Sequence, residues 1–399
     1  MNGPLSNNQY AYRKGKGMEL ATTKFIKNFD DQKYSLSVFI DLTKAFDCVS
    51  HEILLHKLLY YGINGPAYRW FSSYLENRIQ RVRYNGQLSD ETLVNIGVPQ
   101  GSIIGPILFL IYINDLCDSG YLGDLSLFAD DANYYESNEN YYDLIYSVNV
   151  NLQFITNWFL ANKLSINILK SEAMLFTRKI LYFPLPPVLL NAAPIPFNYV
   201  FKFLGLFIDF NLKWKYHLHH IRSKLSSACG ILYRIRNMIT RDVAKTIYFG
   251  IAYPYLTYCN IVWSSCYPSH LQSLITIQKK LIRLITKRNR WSHSSPLFRD
   301  LKVLKLQDVI KLNSALFVFK SVNGLIDSPI PYQYRILNRY NLRNQNSLIV
   351  PPHQSRQTEL FIHVRGSILW NSLPLEIRNK RTIQAFKYHL KNLYLQSYN

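Results

Sequence analysis

Residues 39–47, with the sequence FIDLTKAFD, place an aspartate directly after an apolar run. The run begins at Tyr34 and has the composition of a β-strand, so the pattern predicts a strand that ends at Asp41. A second stretch, residues 127–131 (LFADD), follows an apolar run with two adjacent acids. The sequence therefore predicts two strands with carboxylates at their ends, and the second is expected to turn back as a hairpin.

The three carboxylates at these strand ends are those of Asp41, Asp130 and Asp131. Adjacent like charges repel each other, and an apolar strand offers them no compensating partner. Two divalent cations about 3.5–4 Å apart would remove the repulsion and stabilise the attacking and leaving oxygens of nucleotidyl transfer. A solvated turn is the alternative explanation for two adjacent aspartates, and these residues alone leave both interpretations open.

The charge distribution divides the chain into two parts. Residues 1–209 contain 17 lysines and arginines and 19 aspartates and glutamates, whereas residues 210–399 contain 29 and 6. A strongly basic second half predicts contact with a polyanion, and nucleic acid is the leading candidate. An anionic membrane surface is the alternative, although no separate amphipathic anchor is visible. Aromatic residues make up 15% of the chain, which suits stacking on bases as well as core packing.

The cysteines are scattered and odd in number, which predicts a reduced, intracellular protein. There are five of them and no CxxC pair. Cys259, Cys266 and His270 lie close in sequence, but their spacing matches no usual zinc site. The longest apolar run, residues 103–113, contains glycine and proline and is too short to span a bilayer.

Hydrophobic periodicity predicts the remaining organisation. Apolar residues recur in steps of three and four over residues 218–239, which indicates one face of a helix within a bundle. A second helix is predicted over about 271–287, and an amphipathic helix over 141–163. Residues 203–208 are predicted to form a strand, and the proline-rich stretch 181–196 is predicted to be a loop.

Three motifs together resemble those of reverse transcriptases from non-long-terminal-repeat retrotransposons. Residues 39–47 resemble the first catalytic motif of that family. Residues 97–102 (GVPQGS), followed by 105–106 (GP) and 114–116 (NDL), resemble the second, and 128–131 (FADD) match the third. The motifs occur in the family's order and at similar separations, which makes the combination far more specific than any one of them.

The resemblance extends over nearly the whole chain. Residues 162–176 are similar to the family's fourth motif, and residues 203–217 to its primer-grip segment and the start of its thumb. Near the end of the chain, residues 365–374 resemble the jockey-type branch of these elements. Compared with that family, the chain begins within the fingers, so the resemblance implies an N-terminally truncated reverse transcriptase.

The resemblance implies an α+β fold of the right-hand polymerase type, with a basic, mostly helical C-terminal region. We expect partial fingers over 1–34 and a palm with an antiparallel sheet and a fingers insertion over 35–210. A helical thumb is expected over 211–290, and the basic C-terminal region over 291–399.

The resemblance also implies roles at the catalytic centre. Asp41, Asp130 and Asp131 would bind two Mg²⁺ ions, or Mn²⁺ instead, with help from the backbone carbonyl of Leu42. Lys170 would approach the leaving pyrophosphate as an electrostatic stabiliser or general acid, and a solvated lysine is the alternative.

Other residues would contact the substrates. The ring of Phe46 would exclude a 2′-hydroxyl, although core packing is the commoner fate of a phenylalanine. Gln100 and Gly101 would contact the template and the incoming nucleotide. The primer-grip residues would be Phe203, Leu204 and Gly205.

Basic residues of the thumb would hold the phosphates of a template–primer duplex. Each one alone is better explained as a solvated surface charge, so the prediction rests on their collective excess. They are Lys213, Lys215, Arg222, Lys224, Arg234, Arg236, Lys279, Lys280 and Arg283.

The predicted activity is RNA-directed DNA synthesis with an RNA template, a DNA primer and dNTPs, in the nucleus and cytoplasm. No membrane contact is predicted, and the sequence gives no evidence for a protein partner. A viral RNA-dependent RNA polymerase is one rival, but it usually has glycine where this chain has Ala129 and would not favour Phe46. Two further rivals are a catalytically inactive nucleic-acid-binding remnant of the same kind of element and a membrane-surface protein.

Overall fold

The computed structural model describes residues 5–27, 33–118, 120–177, 185–335, 347–353 and 355–398. The chain divides into two compact units. The sheet unit comprises Met1–Gly17 and Phe29–Tyr199, and the helical unit comprises Met18–Asn28 and Val200–Asn399. The predicted subdomain limits at residues 34, 210 and 290 remain predictions.

The strands of the described residues are short apart from those of one central sheet. They are β1 (Tyr34–Ile40), β2 (Arg78–Gln80), β3 (Arg83–Tyr84), β4 (Gln87–Leu88), β5 (Thr92–Val94), β6 (Asp124–Phe128), β7 (Asp131–Asn138), β8 (Glu172–Phe176), β9 (Val188–Leu190), β10 (Ala193–Ile195), β11 (Val200–Phe203) and β12 (Leu206–Asp209).

The α-helices of the described residues lie in both units. They are α1 (Met18–Lys27), α2 (His51–Tyr60), α3 (Gly65–Leu75), α4 (Gly105–Ile113), α5 (Tyr141–Ala161), α6 (Lys215–Ile235), α7 (Arg241–Ile251), α8 (Tyr253–Thr257), α9 (Asn260–Trp263), α10 (Pro268–Ile285), α11 (Ser294–Leu301), α12 (Leu306–Val322), α13 (Arg356–Glu359), α14 (Ile362–Ser372), α15 (Leu375–Arg378) and α16 (Ile383–Gln396). Short 3₁₀ turns cover Ala45–Asp47, Asn114–Asp118 and Ile168–Lys170.

The central sheet of the sheet unit is antiparallel, with the strand order β6-β7-β1-β8. Strand β1 is buried along nearly its whole length because it lies between two neighbours and beneath packed helices. Ile40 is opposite Ala132 on β7, and Phe39 is opposite Glu172 on β8. The α+β class and the antiparallel sheet with aspartates at its strand ends are confirmed.

Strands β6 and β7 form the predicted hairpin. Phe128 is opposite Asp131, so Ala129 and Asp130 make a two-residue turn. Ala129 adopts a φ of 56°, in the left-handed region that glycine occupies more easily. The turn therefore places both acids at the end of the hairpin.

Two predictions of local structure were wrong. Residues 203–208 do not form one strand, because β11 and β12 turn back on each other at Leu204 and Gly205. Both turn residues have positive φ, 45° and 79°. The stretch 181–196 is not all loop, since β9 and β10 pair as a hairpin within it; its residues 181–184 lie outside the described residues.

The helical unit contains α6 and α10, the helices predicted over 218–239 and about 271–287, and the sheet unit contains α5, the amphipathic helix predicted over 141–163. Helix α6 packs against α10, and the apolar face predicted over residues 218–239 is buried at Leu218, Ile221 and Leu225. Among the described residues, no helix combines the length and the apolar character that crossing a membrane would require.

The motif near the chain end has a structural explanation. The guanidinium of Arg365 donates to the backbone oxygens of Ile261 and Ser264 and so caps the end of α9. The Asn371 amide pairs with both backbone groups of Leu348, at 2.7 and 3.0 Å. These contacts tie α14 to distant segments of the same unit.

Candidate active site

Asp41 follows β1, and its backbone is held on both sides by one tight turn. Its N–H donates to the Ser171 hydroxyl oxygen at 3.1 Å, and its carbonyl accepts from the Asn167 N–H at 2.8 Å. The hydroxyl of Ser171, a fully buried residue, donates in turn to the Asn167 carbonyl at 2.8 Å. The backbone is therefore fixed, while the Asp41 side chain remains partly accessible.

The pairing of β1 with β7 brings the three carboxylates to one end of the sheet. Ile40 and Ala132 are the last pair in this ladder, so Asp41 and Asp131 each lie one residue beyond it on neighbouring strands. Asp130 precedes Asp131 in the hairpin turn. The charge of Asp41 acts on both of the other carboxyls. Residues some 90 positions apart in the sequence therefore form one acidic cluster.

The electrostatics of this cluster oppose full ionisation. Burial raises the pKa of the Asp130 carboxyl, and repulsion from Asp41 adds to the rise although a backbone hydrogen bond offsets part of it. Burial, followed by repulsion from Asp130 and Asp41, raises the pKa of Asp131 to about 6. The Asp131 residue as a whole is exposed, so water screens part of this repulsion.

The donor set of the cluster suits hard divalent cations, which prefer carboxylate oxygens. In the part of the chain that the structure describes, no three His, Cys, Asp or Glu side chains converge closely enough to hold a metal ion as placed. Mutual repulsion favours separated side chains, and a divalent cation would neutralise that repulsion. The three aspartates therefore suit a divalent metal ion, both because their ligand atoms are carboxylate oxygens and because they lie at the same end of the sheet.

Phe46 packs against the core of the sheet unit and against the small apolar cluster that contains Ala129, the residue before Asp130. Its ring stacks on that of Phe109, with centroids 4.4 Å apart and planes 27° apart. The residue is only partly buried, so one side of it remains accessible. The structure thus accommodates both of the interpretations offered for Phe46, packing and contact with a substrate.

The loop from Gly97 to Gly101 packs against the segment that carries Phe46. The Gln100 side chain donates to the Asp47 carboxylate at 2.8 Å. Gly97 has a φ of 85°, and a Cβ there would lie 2.8 Å from the Asp47 backbone oxygen, so only glycine fits. Gly101 is exposed, with open space around it. The first two motifs are thus in direct contact.

Comparison with known families identifies the family of the chain. The family model for reverse transcriptase (RNA-dependent DNA polymerase) matches residues 2–208. The chain belongs to the reverse transcriptase family. Members of this family generally use divalent metal ions, which is consistent with the acidic cluster.

Several curated relatives of this reverse transcriptase family member come from insect transposons. A probable RNA-directed DNA polymerase from transposon X-element of Drosophila melanogaster is 29% identical over 79% of this chain and 36% of its own length. The RNA-directed DNA polymerase from mobile element jockey of Drosophila funebris is 26% identical over 72% of this chain and 32% of its own. The resemblance to non-long-terminal-repeat elements is thereby confirmed, and the chain spans about a third of these relatives.

A solved structure of apo telomerase from Candida tropicalis is similar at a TM-score of 0.37 and 12% identity, covering 71% of this chain and 47% of that one. A telomerase structure from Candida albicans gives a TM-score of 0.33 at 11% identity, covering 74% and 51%.

In this member of the reverse transcriptase family, Lys170 lies on the 3₁₀ turn between Asn167 and Ser171. Because both of those residues bind the Asp41 backbone, the turn that carries Lys170 lies beside Asp41. The lysine residue itself is exposed. Its position suits a group that meets a substrate phosphate, and it also suits a solvated lysine.

The predicted primer-grip residues belong to the helical unit and form the β11–β12 turn. Phe203 is buried and lies 6.2 Å from the Phe25 ring. The Tyr258 hydroxyl donates to the Leu204 carbonyl at 2.6 Å, and Gly205 lies beside the same tyrosine. These contacts fix the turn, and its function as a primer grip remains a prediction.

The predicted phosphate-binding residues differ in accessibility. Those that are exposed are Lys215, Arg222, Lys224, Arg234 and Lys280, and those partly buried are Lys213, Arg236, Lys279 and Arg283. The Arg283 side chain donates to the Ser292 carbonyl at 2.9 Å, and the Arg236 guanidinium lies over the Tyr233 ring. Some of the set therefore also have structural roles.

Two residues near the acidic cluster were missed by sequence reasoning. Ser171 holds the backbone of Asp41, and Gln9 contacts the turn that carries Asp130. Their roles depend on hydrogen bonds to partners more than 100 positions away. A serine after a lysine and a glutamine in a polar segment give no local signal of such contacts.

Proposed function

We propose that this chain copies RNA into DNA by adding dNTPs to the 3′-hydroxyl of a primer at Asp41, Asp130 and Asp131. The observation that carries the proposal is the register of β1 with β7, which supports one cluster of three carboxylates at the sheet end. In the reaction, the primer hydroxyl attacks the α-phosphate of the dNTP and pyrophosphate leaves.

The three aspartates, with the Leu42 carbonyl, would hold two Mg²⁺ ions, and Mn²⁺ could replace them. Such ions supply charge stabilisation to the attacking and leaving oxygens. The raised pKa values of Asp130 and Asp131 support the proposal, because a site built from mutually repelling carboxylates gains most from binding cations.

Other residues would act on the substrates directly. Lys170 would neutralise the leaving pyrophosphate, because its turn adjoins Asp41 and its side chain is free to reach solvent. The accessible side of Phe46 would exclude the 2′-hydroxyl of a ribonucleotide. Gln100 and Gly101 would border the template and the incoming dNTP, which the openness of the loop at Gly101 supports.

The basic excess of residues 210–399 would hold an RNA template paired with a DNA primer through its phosphates. The exposed basic residues of α6 and α10 would be the main contacts, since these helices pack against each other. A protein with these substrates would meet RNA in the cytoplasm and chromosomal DNA in the nucleus, and we propose both locations.

Primer extension tests this function directly. The full chain is incubated with poly(rA)/oligo(dT), dTTP and Mg²⁺, beside an Asp130→Ala, Asp131→Ala double variant. We expect extension by the wild type and none by the variant. A matched control is Asp90→Ala with Glu91→Ala, because these acids are also adjacent but lie on an exposed stretch; this variant should extend primers normally.

The same assay separates the proposal from the alternative of an inactive remnant. Binding of the fluorescently labelled duplex and the thermal unfolding midpoint are measured for every variant. A folded wild type that binds the duplex but extends no primer with either Mg²⁺ or Mn²⁺ would support the remnant. Equal extension by the wild type and the double variant would show that Asp130 and Asp131 are not required for the reaction, and the proposed site would fail.

A further inference from the structure

The segment around Gln9 lies alongside β6, which is the edge strand of the central sheet. The Tyr10 N–H donates to the Leu127 carbonyl, and the Leu127 N–H donates to the Asn8 carbonyl, both at 2.9 Å. Gln9 thus forms a parallel bridge with Leu127. The segment covers the edge of the sheet two residues before the hairpin turn.

The Gln9 side chain reaches that turn. Its Oε1 accepts from the Ala129 N–H at 3.3 Å and from the Ala11 N–H at 3.0 Å. The residue is fully buried, and Ala11, Ala129 and Leu110 form a small apolar cluster. A hydrogen bond in apolar surroundings is stronger than the same bond in water, so this contact restrains the turn.

The turn requires such a partner for a physical reason. Ala129 lies between the paired residues Phe128 and Asp131, in a left-handed conformation that costs energy for alanine. Because Ala129 is also buried, its N–H needs an acceptor other than water. Gln9, 120 positions away, supplies this acceptor.

The choice of glutamine is not explained by packing alone. Its Nε2 is buried and has no hydrogen-bond partner among the described residues. An unpaired buried donor is unfavourable, so an apolar side chain of the same size would pack at lower cost. The benefit of glutamine must therefore come from its oxygen, which holds the Ala11 and Ala129 N–H groups together.

We propose that Gln9 is a positioning residue whose side-chain oxygen fixes the turn that carries Asp130 and Asp131, and so sets their affinity for metal ions. This inference rests on the proposed function for its effect on catalysis, but its effect on metal binding can be measured separately. Gln9 acts through the Ala129 backbone and need not touch the substrate.

Two substitutions test the proposal in the full chain. Gln9→Met removes the acceptor at similar length, and the milder Gln9→Asn withdraws it by one methylene. Mn²⁺ binding is titrated by electron paramagnetic resonance without substrates, and kcat and KM for dTTP are measured by primer extension. We expect Mn²⁺ affinity and kcat to fall about tenfold each, with KM changed less than twofold.

A matched control is Gln278→Met in the helical unit. Gln278 is also a buried glutamine, and its Oε1 accepts the Leu306 N–H at 2.8 Å. This variant should lose thermal stability without changing Mn²⁺ affinity or kcat. If Gln9→Met does not fold, Gln9→Asn provides the comparison.

The outcomes distinguish the positioning role from the function itself. Unchanged Mn²⁺ affinity in the folded Gln9 variants, with only a lower unfolding midpoint as in Gln278→Met, overturns the proposal. If the wild type extends no primer but binds Mn²⁺ more tightly than the Gln9 variants do, the positioning role stands and the proposed function fails.

Discussion

The sheet unit and the helical unit use their charged residues in different ways. In the sheet unit, three aspartates lie at one sheet end. Distant residues hold the backbone there, because Ser171 binds the Asp41 N–H and Gln9 binds the Ala129 N–H beside Asp130. In the helical unit, many lysines and arginines lie on the outer faces of α6 and α10. A chemical step needs groups at fixed positions, whereas phosphate binding sums many weak contacts. Single substitutions should therefore matter in the first unit, and only combined ones in the second.

The largest effect is expected from Asp41→Asn. The amide keeps the size of the side chain but removes a charge from the acidic cluster, so primer extension should fall on the order of 1000-fold, about 4 kcal/mol. Duplex binding should stay within a factor of two, because the basic residues of the helical unit are unchanged. Filter binding beside the extension assay measures both quantities. If the variant loses duplex binding and primer extension to the same degree, catalysis and duplex binding are not separate functions of the two units.

The next largest effect is expected from the triple variant Arg222→Ala, Lys224→Ala, Lys280→Ala, which should weaken duplex binding but not catalysis. All three residues are exposed on α6 and α10. Duplex affinity should fall roughly 100-fold, and the salt dependence of binding should weaken, because fewer counterions are released. With saturating duplex, kcat should be nearly unchanged.

The control for this variant removes equal charge elsewhere in the helical unit. Lys302→Ala, Arg381→Ala and Lys387→Ala are also exposed substitutions but lie outside α6 and α10. If the control weakens binding as much as the first triple variant does, net charge alone explains the affinity and the two helices have no special role.

A smaller effect concerns stability and pH. Burial raises the pKa of Glu19 to about 7 from its usual 4.5, and Lys320 only partly opposes the rise. The folded protein thus keeps a proton that the unfolded chain releases, so the free energy of unfolding should fall as pH rises from about 4.5 to about 7 and then level off. Glu19→Gln should remove this slope and gain about 2 kcal/mol at pH 8, since Glu19 retains some solvent contact.

Urea unfolding at several pH values measures this effect. Glu376→Gln is the matched control, because Glu376 is an exposed glutamate on α15 of the same unit. A Glu19→Gln variant with the same pH slope as the wild type would disprove the assignment of the slope to this residue.

The smallest effect is expected from Phe46→Val. The smaller side chain should admit a ribose 2′-hydroxyl, so the preference for dTTP over UTP should fall about tenfold, or 1.4 kcal/mol. Phe109→Leu perturbs the same ring stack from the buried side and serves as the control. If both variants lose stability but keep the preference, Phe46 serves packing alone.

The acidic cluster could be predicted from the sequence because each part of it has a local signal. An apolar run that ends in aspartate predicts a strand end, and LFADD predicts the hairpin that was observed. The turn inside residues 203–208 was missed because Leu204 adopts positive φ. Leucine rarely adopts this conformation, so its presence in the sequence does not predict a turn. Ser171 and Gln9 were missed because long-range register, absent from any local pattern, determines their partners.

The chain-end motif teaches a related lesson. Residues 365–374 resemble the jockey-type branch, and a jockey polymerase is among the relatives of the chain as a whole. In the structure, however, Arg365 and Asn371 satisfy backbone groups of distant segments. A sequence motif of a family can thus have a structural role within one unit, and that role becomes visible only from the hydrogen bonds in the structure.

The place of β1 in the central sheet has a consequence for biosynthesis. β1 emerges from the ribosome first, but its two neighbours are residues 131–138 and 172–176. At roughly 5–20 residues per second, translation takes on the order of ten seconds to supply the last neighbour. Both edges of this apolar strand are open until residues 131–138 emerge, and one edge stays open until residues 172–176 emerge, so it can pair with other chains in that interval. Low temperature, or a chaperone that shields nascent chains, should slow aggregation. The fraction of this protein that reaches the folded state should therefore rise under either condition.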